Sequence, residues 1–107
     1  MEIDLKDKYT LKEGVRFLTG SQALVRLPLV QIRRDKKNNI NTAGYISGYR
    51  GSPLGNYDKQ ITQNKKYLHE NNIFFQPGIN EELAASSLWG TQQIDFYGEG
   101  KYDGVFG

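Results

Sequence analysis

Two turn-rich stretches, 48-GYRGSPLG-55 and 77-PGINEE-82, each join a short apolar run to a longer amphipathic one, and this alternation constrains the fold more than any other feature. The run 43-AGYISGY-49 reads as a strand, and its glycines imply close backbone approach. After it, Leu54, Tyr57, Ile61 and Leu68 recur at three- and four-residue steps, with Lys59, Lys65, Lys66 and Glu70 opposite. That is the pattern of an amphipathic helix ending near Asn71-Asn72. The unit repeats in 73-IFFQ-76, a Pro77-Gly78 turn, and a helix from Asn80 to about Phe96. Tyr102 to Phe106 closes the series as a further strand. Strands joined by helical crossovers of this length pair in parallel, so the chain is expected to form an α/β open parallel sheet with right-handed crossovers.

Upstream, Thr19 followed three residues later by Gln22 fits a capping box, and a helix is expected from there to about Lys37. Leu24, Leu27 and Val30 form one face, widened by Val25, Leu29 and Ile32. Pro28 removes the bond to Leu24 and predicts a kink. Residues 1–14 read as a charged leader.

The chain has 107 residues, net charge +2 and no cysteine, so it bounds one small domain without disulfides or thiolate metal sites. The cluster Arg33, Arg34, Lys36 and Lys37 reads as the solvated last turn of a helix, and nucleic acid is not expected as a partner. No signal-peptide core and no run of ~18 apolar residues is present, so no membrane contact is expected and the cytoplasm is the expected location. The end, 102-YDGVFG-107, begins a strand and stops without a turn or polar tail, as if the chain were cut short.

In an open parallel sheet, ligands bind beyond the carboxyl ends of the strands, where loops lead into helix N-termini. Both turn-rich stretches are expected on that edge. The first has the glycines of a phosphate loop but lacks the lysine of Gly-x-x-x-x-Gly-Lys-Ser/Thr, and Gly-x-Gly-x-x-Gly is also missing. A tight turn with Ser52 as N-cap and Pro53 at the first helical position accounts for it. The second stretch places Glu81 and Glu82 after the N-cap Asn80. Acids favour helix N-termini without further role. Glu81, however, starts the face of Ala85 and Leu88, where burial raises a carboxyl pKa while the helix terminus lowers it.

Four segments, 18-LTGSQALVRLPL-29, 42-TAGYISGYRGSPLG-55, 76-QPGINEELAASSLWGTQQ-93 and 101-KYDGVFG-107, together resemble the N-terminus of the indolepyruvate ferredoxin oxidoreductase family. The resemblance spans nearly the whole chain. It implies that residues 1–107 are the N-terminal part of a thiamine diphosphate pyrimidine-binding (Pyr) domain, incomplete at the C-terminus, with helices on both faces of a partial sheet. Members are thiamine diphosphate-dependent 2-oxoacid:ferredoxin oxidoreductases. They decarboxylate an aryl 2-oxoacid to an acyl-CoA and pass electrons through iron–sulfur clusters to ferredoxin.

By the same resemblance, Asn80 and Glu81 are cofactor-binding. Glu81 is catalytic, hydrogen-bonding a pyrimidine nitrogen so that the ring's exocyclic nitrogen takes the thiazolium C2 proton. Ser52 matches a Thr near the substrate carboxylate, whereas Arg50 replaces a Pro and receives no role. The Mg²⁺ and pyrophosphate site and the cluster cysteines are implied in other domains, with a homo-oligomer when complete, so this chain alone is expected to be inactive. The alternatives are a non-catalytic α/β interaction module descended from this fold, and a small nucleotide-binding domain.

Overall fold

A computed structural model describes residues 4–107. Helices α1 (Asp7–Thr10) and α2 (Gly20–Lys37) precede strand β1 (Thr42–Ile46). Helices α3 (Gly55–Gln63) and α4 (Lys65–Glu70) lead to β2 (Ile73–Phe75), and α5 (Glu81–Thr91) with a 3₁₀ turn at Ile94–Phe96 leads to β3 (Gly104–Phe106). The protein is α/β, with a parallel sheet of order β2-β1-β3. Among the described residues, no helix is long and apolar enough to cross a membrane.

Register places Gly44 opposite both Ile73 and Phe106. A Cβ on Gly44 would stand 2.8 Å from Phe106 Cζ, so the glycine is what lets that ring cross the central strand. Because side chains alternate along a strand, Thr42, Gly44 and Ile46 share one face. On that face, Thr42 Oγ1 donates to Asp35 of α2 at 2.5 Å, and Ile46, Phe75 and Phe106 pack on a core of Tyr9, Val25, Leu29, Ile32, Ile61, Leu68 and Ile73. Helices α1 to α4 therefore form one layer. Helix α5 lies on the opposite face, where a Cβ on Gly107, one residue past Phe106, would meet Leu88.

Helix α2 begins with the expected capping box. The Gln22 N–H donates to Thr19 Oγ1 at 3.3 Å and the Thr19 N–H to Gln22 Oε1 at 2.9 Å. Pro28 neither ends the helix nor restarts it, and its ring is buried. The carbonyl it deprives of an intrahelical donor, that of Leu24, instead accepts a long 3.4 Å bond from the Tyr57 hydroxyl of α3. We expect Tyr57→Phe to lower stability by about 1 kcal/mol in urea unfolding, since the Leu24 carbonyl would lose that partner. Burial also pushes the Tyr57 phenol above its usual 10.0. A raised acid pKa favours the neutral group, so this contribution is complete below pH 10 and lost as pH climbs through the folded value.

Four sequence expectations need correction. The core face of α2 is Val25, Leu29 and Ile32, whereas Leu24 and Leu27 are 39% and 64% exposed. Arg26 sets this rotation, because its guanidinium donates to the carbonyls of Lys8 (3.0 Å) and Leu11 (2.8 Å) and draws its side of α2 toward the leader. Arg33 is likewise not a solvated end-of-helix charge: it is half-buried and donates to the Tyr9 carbonyl and to the Tyr67 hydroxyl. The leader itself is anchored by α1, which inserts Tyr9 into the core. Finally, the helix expected from Pro53 to Asn72 is two helices, broken at Asn64. There the side-chain amide donates to the Gln60 carbonyl at 2.7 Å, offering the backbone an alternative to continuing the helix.

Candidate functional site

The carboxyl ends of β1 and β2 lie side by side, and the chain leaves each through a turn-rich loop. β1 ends at Ile46, earlier than its apolar pattern suggested, so Ser47 to Tyr49 already belong to the first loop. Backbone bonds tie the two exits together: the Gln76 N–H donates to Ile46 (3.0 Å) and the Gly78 N–H to Gly48 (2.6 Å). Both loops open on one edge of the sheet, as parallel topology requires.

The second loop ends in the expected cap. The Leu83 N–H donates to the Asn80 side-chain oxygen at 2.9 Å, and Asn80 holds extended backbone at φ −151, ψ 177. Glu81 and Glu82 occupy the first turn of α5 and both are exposed. The expectation that Glu81 sits on a buried face is therefore corrected. Ala84 is buried and Leu88 stands against Gly107 at the end of β3, whereas the acids of the first turn face solvent.

Tyr49, expected from sequence to lie on the strand and in the core, instead follows the end of β1 and completes this end of the site. The Tyr49 hydroxyl donates to Glu81 Oε1 at 2.7 Å, bridging the first loop to the first turn of α5. The bond raises the Tyr49 phenol above 10.0, with desolvation and the carboxylate charge adding to it, because ionising the phenol would forfeit the bond and set two anions together. A cavity of about 430 Å³ lies here, lined by Tyr49, Asn80, Glu81 and Glu82. The signal for Tyr49 was register: adjacent parallel strands bring the residues just past β1 against the helix that follows β2. In ¹³C-tyrosine NMR, Tyr49 is expected to titrate above 10 in the native protein and to return toward 10 in Glu81→Ala. An unchanged titration would mean the bond does not form in solution.

Ser52 is placed differently from expectation. The Gly55 N–H, which an N-cap side chain would accept, donates instead to the Ser52 backbone carbonyl at 3.0 Å. Residues 52-SPLG-55 thus form a turn with Pro at its second position and Leu54 at φ −97, ψ 32, close to type I geometry. The cap of α3 is Leu54, which makes no side-chain bond. Gly51 precedes the turn at φ +88, a conformation that favours glycine. The Tyr49–Glu81 hydrogen bond therefore joins the first loop to the first turn of α5, next to the Asn80 cap, while Ser52, on the same loop as Tyr49, makes no side-chain hydrogen bond to them among the described residues.

A larger groove of about 610 Å³ runs between α2 and β3, lined by Leu24, Leu27, Tyr57 and Phe106 among others. It contains none of Ser52, Asn80 or Glu81. No family model matches the chain, and no curated protein or solved structure matches it.

Proposed function

We propose that this chain is the N-terminal part of the pyrimidine-binding domain of a thiamine diphosphate-dependent indolepyruvate:ferredoxin oxidoreductase, with Glu81 as the carboxylate that contacts the aminopyrimidine ring. The observation that carries the reading is a carboxylate in the first turn of a capped helix, beyond the carboxyl end of a parallel strand, held by a tyrosine from the neighbouring loop.

The residues present fit such a ring. Tyr49 occupies Oε1 of Glu81, so its second oxygen is left to accept from a protonated ring nitrogen, and the carboxylate is exposed on a cavity of ring-accommodating size. When bound, thiamine diphosphate supplies the electron sink for decarboxylation. Glu81 favours the proton on the ring nitrogen it faces. Tyr49 restricts the rotamers of Glu81, and Asn80 fixes the helix terminus from which it projects. Ser52 is half-buried on the same loop as Tyr49, and in this reading its hydroxyl serves the substrate carboxylate. The pyrophosphate, Mg²⁺, iron–sulfur clusters, CoA and ferredoxin belong to the remaining domains of the complete oligomeric enzyme, in the cytoplasm.

The test is C2-proton exchange of bound thiamine diphosphate in the complete enzyme, wild type against Glu81→Gln. Equal rates would remove Glu81 from the proposed role.

A further inference from the structure

The segment that leads into α2 turns its side chains in the opposite sense to an ordinary exposed loop. Val15 and Phe17 stand in solvent, at 100% and 97% exposed, while Arg16 between them is half-buried. The Arg16 Nε and Nη2 atoms are shut off from solvent and have no hydrogen-bond partner among the described residues. Those two nitrogens form one edge of the guanidinium, the edge that grips two oxygens of an oxyanion at once. Burying it unpaired is costly, so the inward turn of Arg16 points to an acceptor of opposite charge.

Two more arginines lie beside it. Arg26 is buried on α2 and directs Nη1 and Nη2 at the carbonyls of Lys8 and Leu11, so only backbone dipoles meet its charge. Arg33, further along the same helix, donates from Nη2 to the Tyr9 carbonyl and the Tyr67 hydroxyl, and its Nη1 is buried and unpartnered. Burial first, and then the charges of Arg16 and Arg33, pull the Arg26 guanidinium below its usual value, so the three cations act on one another. None of the bonds from Arg26 or Arg33 goes to a carboxylate. The nearby acids of the leader are engaged elsewhere or exposed: Asp7 accepts from the Asp4 N–H at 3.0 Å, Asp4 from the Lys6 N–H at 3.0 Å, and Glu13 faces solvent.

We propose that Arg16 and Arg33, on either side of Arg26, hold a phosphate dianion between the leader and α2, as inorganic phosphate or as the head of a small phosphomonoester. Three guanidinium groups without a carboxylate suit a dianion better than a monoanion. A tetrahedral oxyanion also has acceptors enough for Arg16 Nε, Arg16 Nη2 and Arg33 Nη1 together. The Tyr67 hydroxyl adds a fourth donor, because it accepts from Arg33 and donates to no described residue. Enclosure of the donors favours a small ion over an acidic side chain of another protein. Entry requires only displacement of residues 12–18, which form neither helix nor strand. The thiamine reading assigns the cofactor's phosphates to another domain, and Tyr49, Asn80 and Glu81 make none of these contacts, so the inference stands apart from it.

Inorganic phosphate is the probe, titrated at about pH 7.5, where it is mainly the dianion, and at constant ionic strength. The readout is the ¹⁵Nε and ¹³Cζ shifts of arginine in the labelled 107-residue chain. Saturable shifts at Arg16 and Arg33 are expected, with a Kd of about 0.1 mM and about tenfold weaker binding of acetate, a monoanion. Arg16→Gln should raise the phosphate Kd about tenfold, whereas Arg34→Gln, at an exposed cation of the same helix, should leave it unchanged. The Arg16 side chain enters no hydrogen bond among the described residues, so its variant is expected to fold. Without phosphate, its urea midpoint should equal or exceed that of wild type, since one of three like charges is gone; phosphate should then raise only the wild-type midpoint. Glycerol 3-phosphate separates the two sources of the head group: tighter binding than inorganic phosphate supports an ester, weaker binding supports the free ion, and either supports the site. Absence of shifts at Arg16 and Arg33 at about 100 times the expected Kd, equal binding of acetate, or an unchanged Kd in Arg16→Gln would each overturn the proposal. None of these measurements involves thiamine diphosphate, so a failure here and a failure of the Glu81 exchange test remain distinguishable.

Discussion

Under the proposed function, Glu81→Gln is expected to slow C2-proton exchange of bound thiamine diphosphate in the complete enzyme by about 10²-fold or more, the usual contribution of a positioned acid–base group. The amide keeps the size of the side chain and can still accept from Tyr49, so the loop contact would persist while the negative charge that favours a protonated ring nitrogen would not. Glu82→Gln is the control. It shares the first turn of α5 and the same interaction with the helix terminus, but has no partner from the first loop, and its exchange rate should stay close to wild type. Tyr49→Phe should fall between the two, because it frees the Glu81 rotamers without removing the charge. Equal losses at positions 81 and 82 would indicate a general effect of charge at the helix terminus and not a ring contact.

The second large effect concerns stability. Ile61→Ala should cost about 3 kcal/mol, within the ~2–5 kcal/mol found when a buried isoleucine is truncated to alanine, measured as the shift in urea midpoint at constant m-value. Ile61 is the only fully buried side chain of α3, so it anchors that helix to the core shared with Val25 and Leu29 of α2. Helix α3 also starts where the first loop ends, and its anchoring helps hold that loop in place. A domain of this size has roughly 5–15 kcal/mol of stability in total, so the loss would be a large fraction of it. Ile61→Val should cost about 1 kcal/mol and leave the Tyr49–Glu81 bond intact. A loss below about 1 kcal/mol for the alanine variant would mean that α3 is held mainly by its loop and not by the core.

Local chemistry was legible residue by residue. The Thr19–Gln22 capping box and the Asn80 cap each rest on contacts within four residues, and the structure bears out both. Crossover length announced parallel pairing; of the two glycines expected to mark close approach, Gly44 meets the Phe106 ring, whereas Gly48 lies past the end of β1 and a Cβ there would meet nothing within 4 Å. Ser52 shows where such reading fails. A serine before a proline satisfies the rules for an N-cap and those for the start of a turn equally well, and the choice depends on which oxygen reaches the Gly55 N–H. Asn64 posed the same ambiguity inside a helix whose apolar spacing continued past it.

Longer-range contacts carried no such signature. The apolar stripe of α2 was broad enough to present either Leu24 and Leu27 or Val25 and Leu29 to the core. Arg26 and Arg33 settled the rotation by reaching carbonyls more than a dozen residues earlier in the chain. Tyr9 looked like part of a charged leader until α1 placed it in the core. At the candidate site, the Asn80 cap was readable because capping is local, whereas the exposure of Glu81 was not. The hydrogen bond from Tyr49 to Glu81 joins residues that meet only once β1 and β2 lie side by side. Periodicity and capping are written within a few residues of each other, so the order of helices and strands follows directly from this chain. Helix rotation and the partners of each charge depend on contacts between segments distant in sequence, and those exist only after the sheet has assembled.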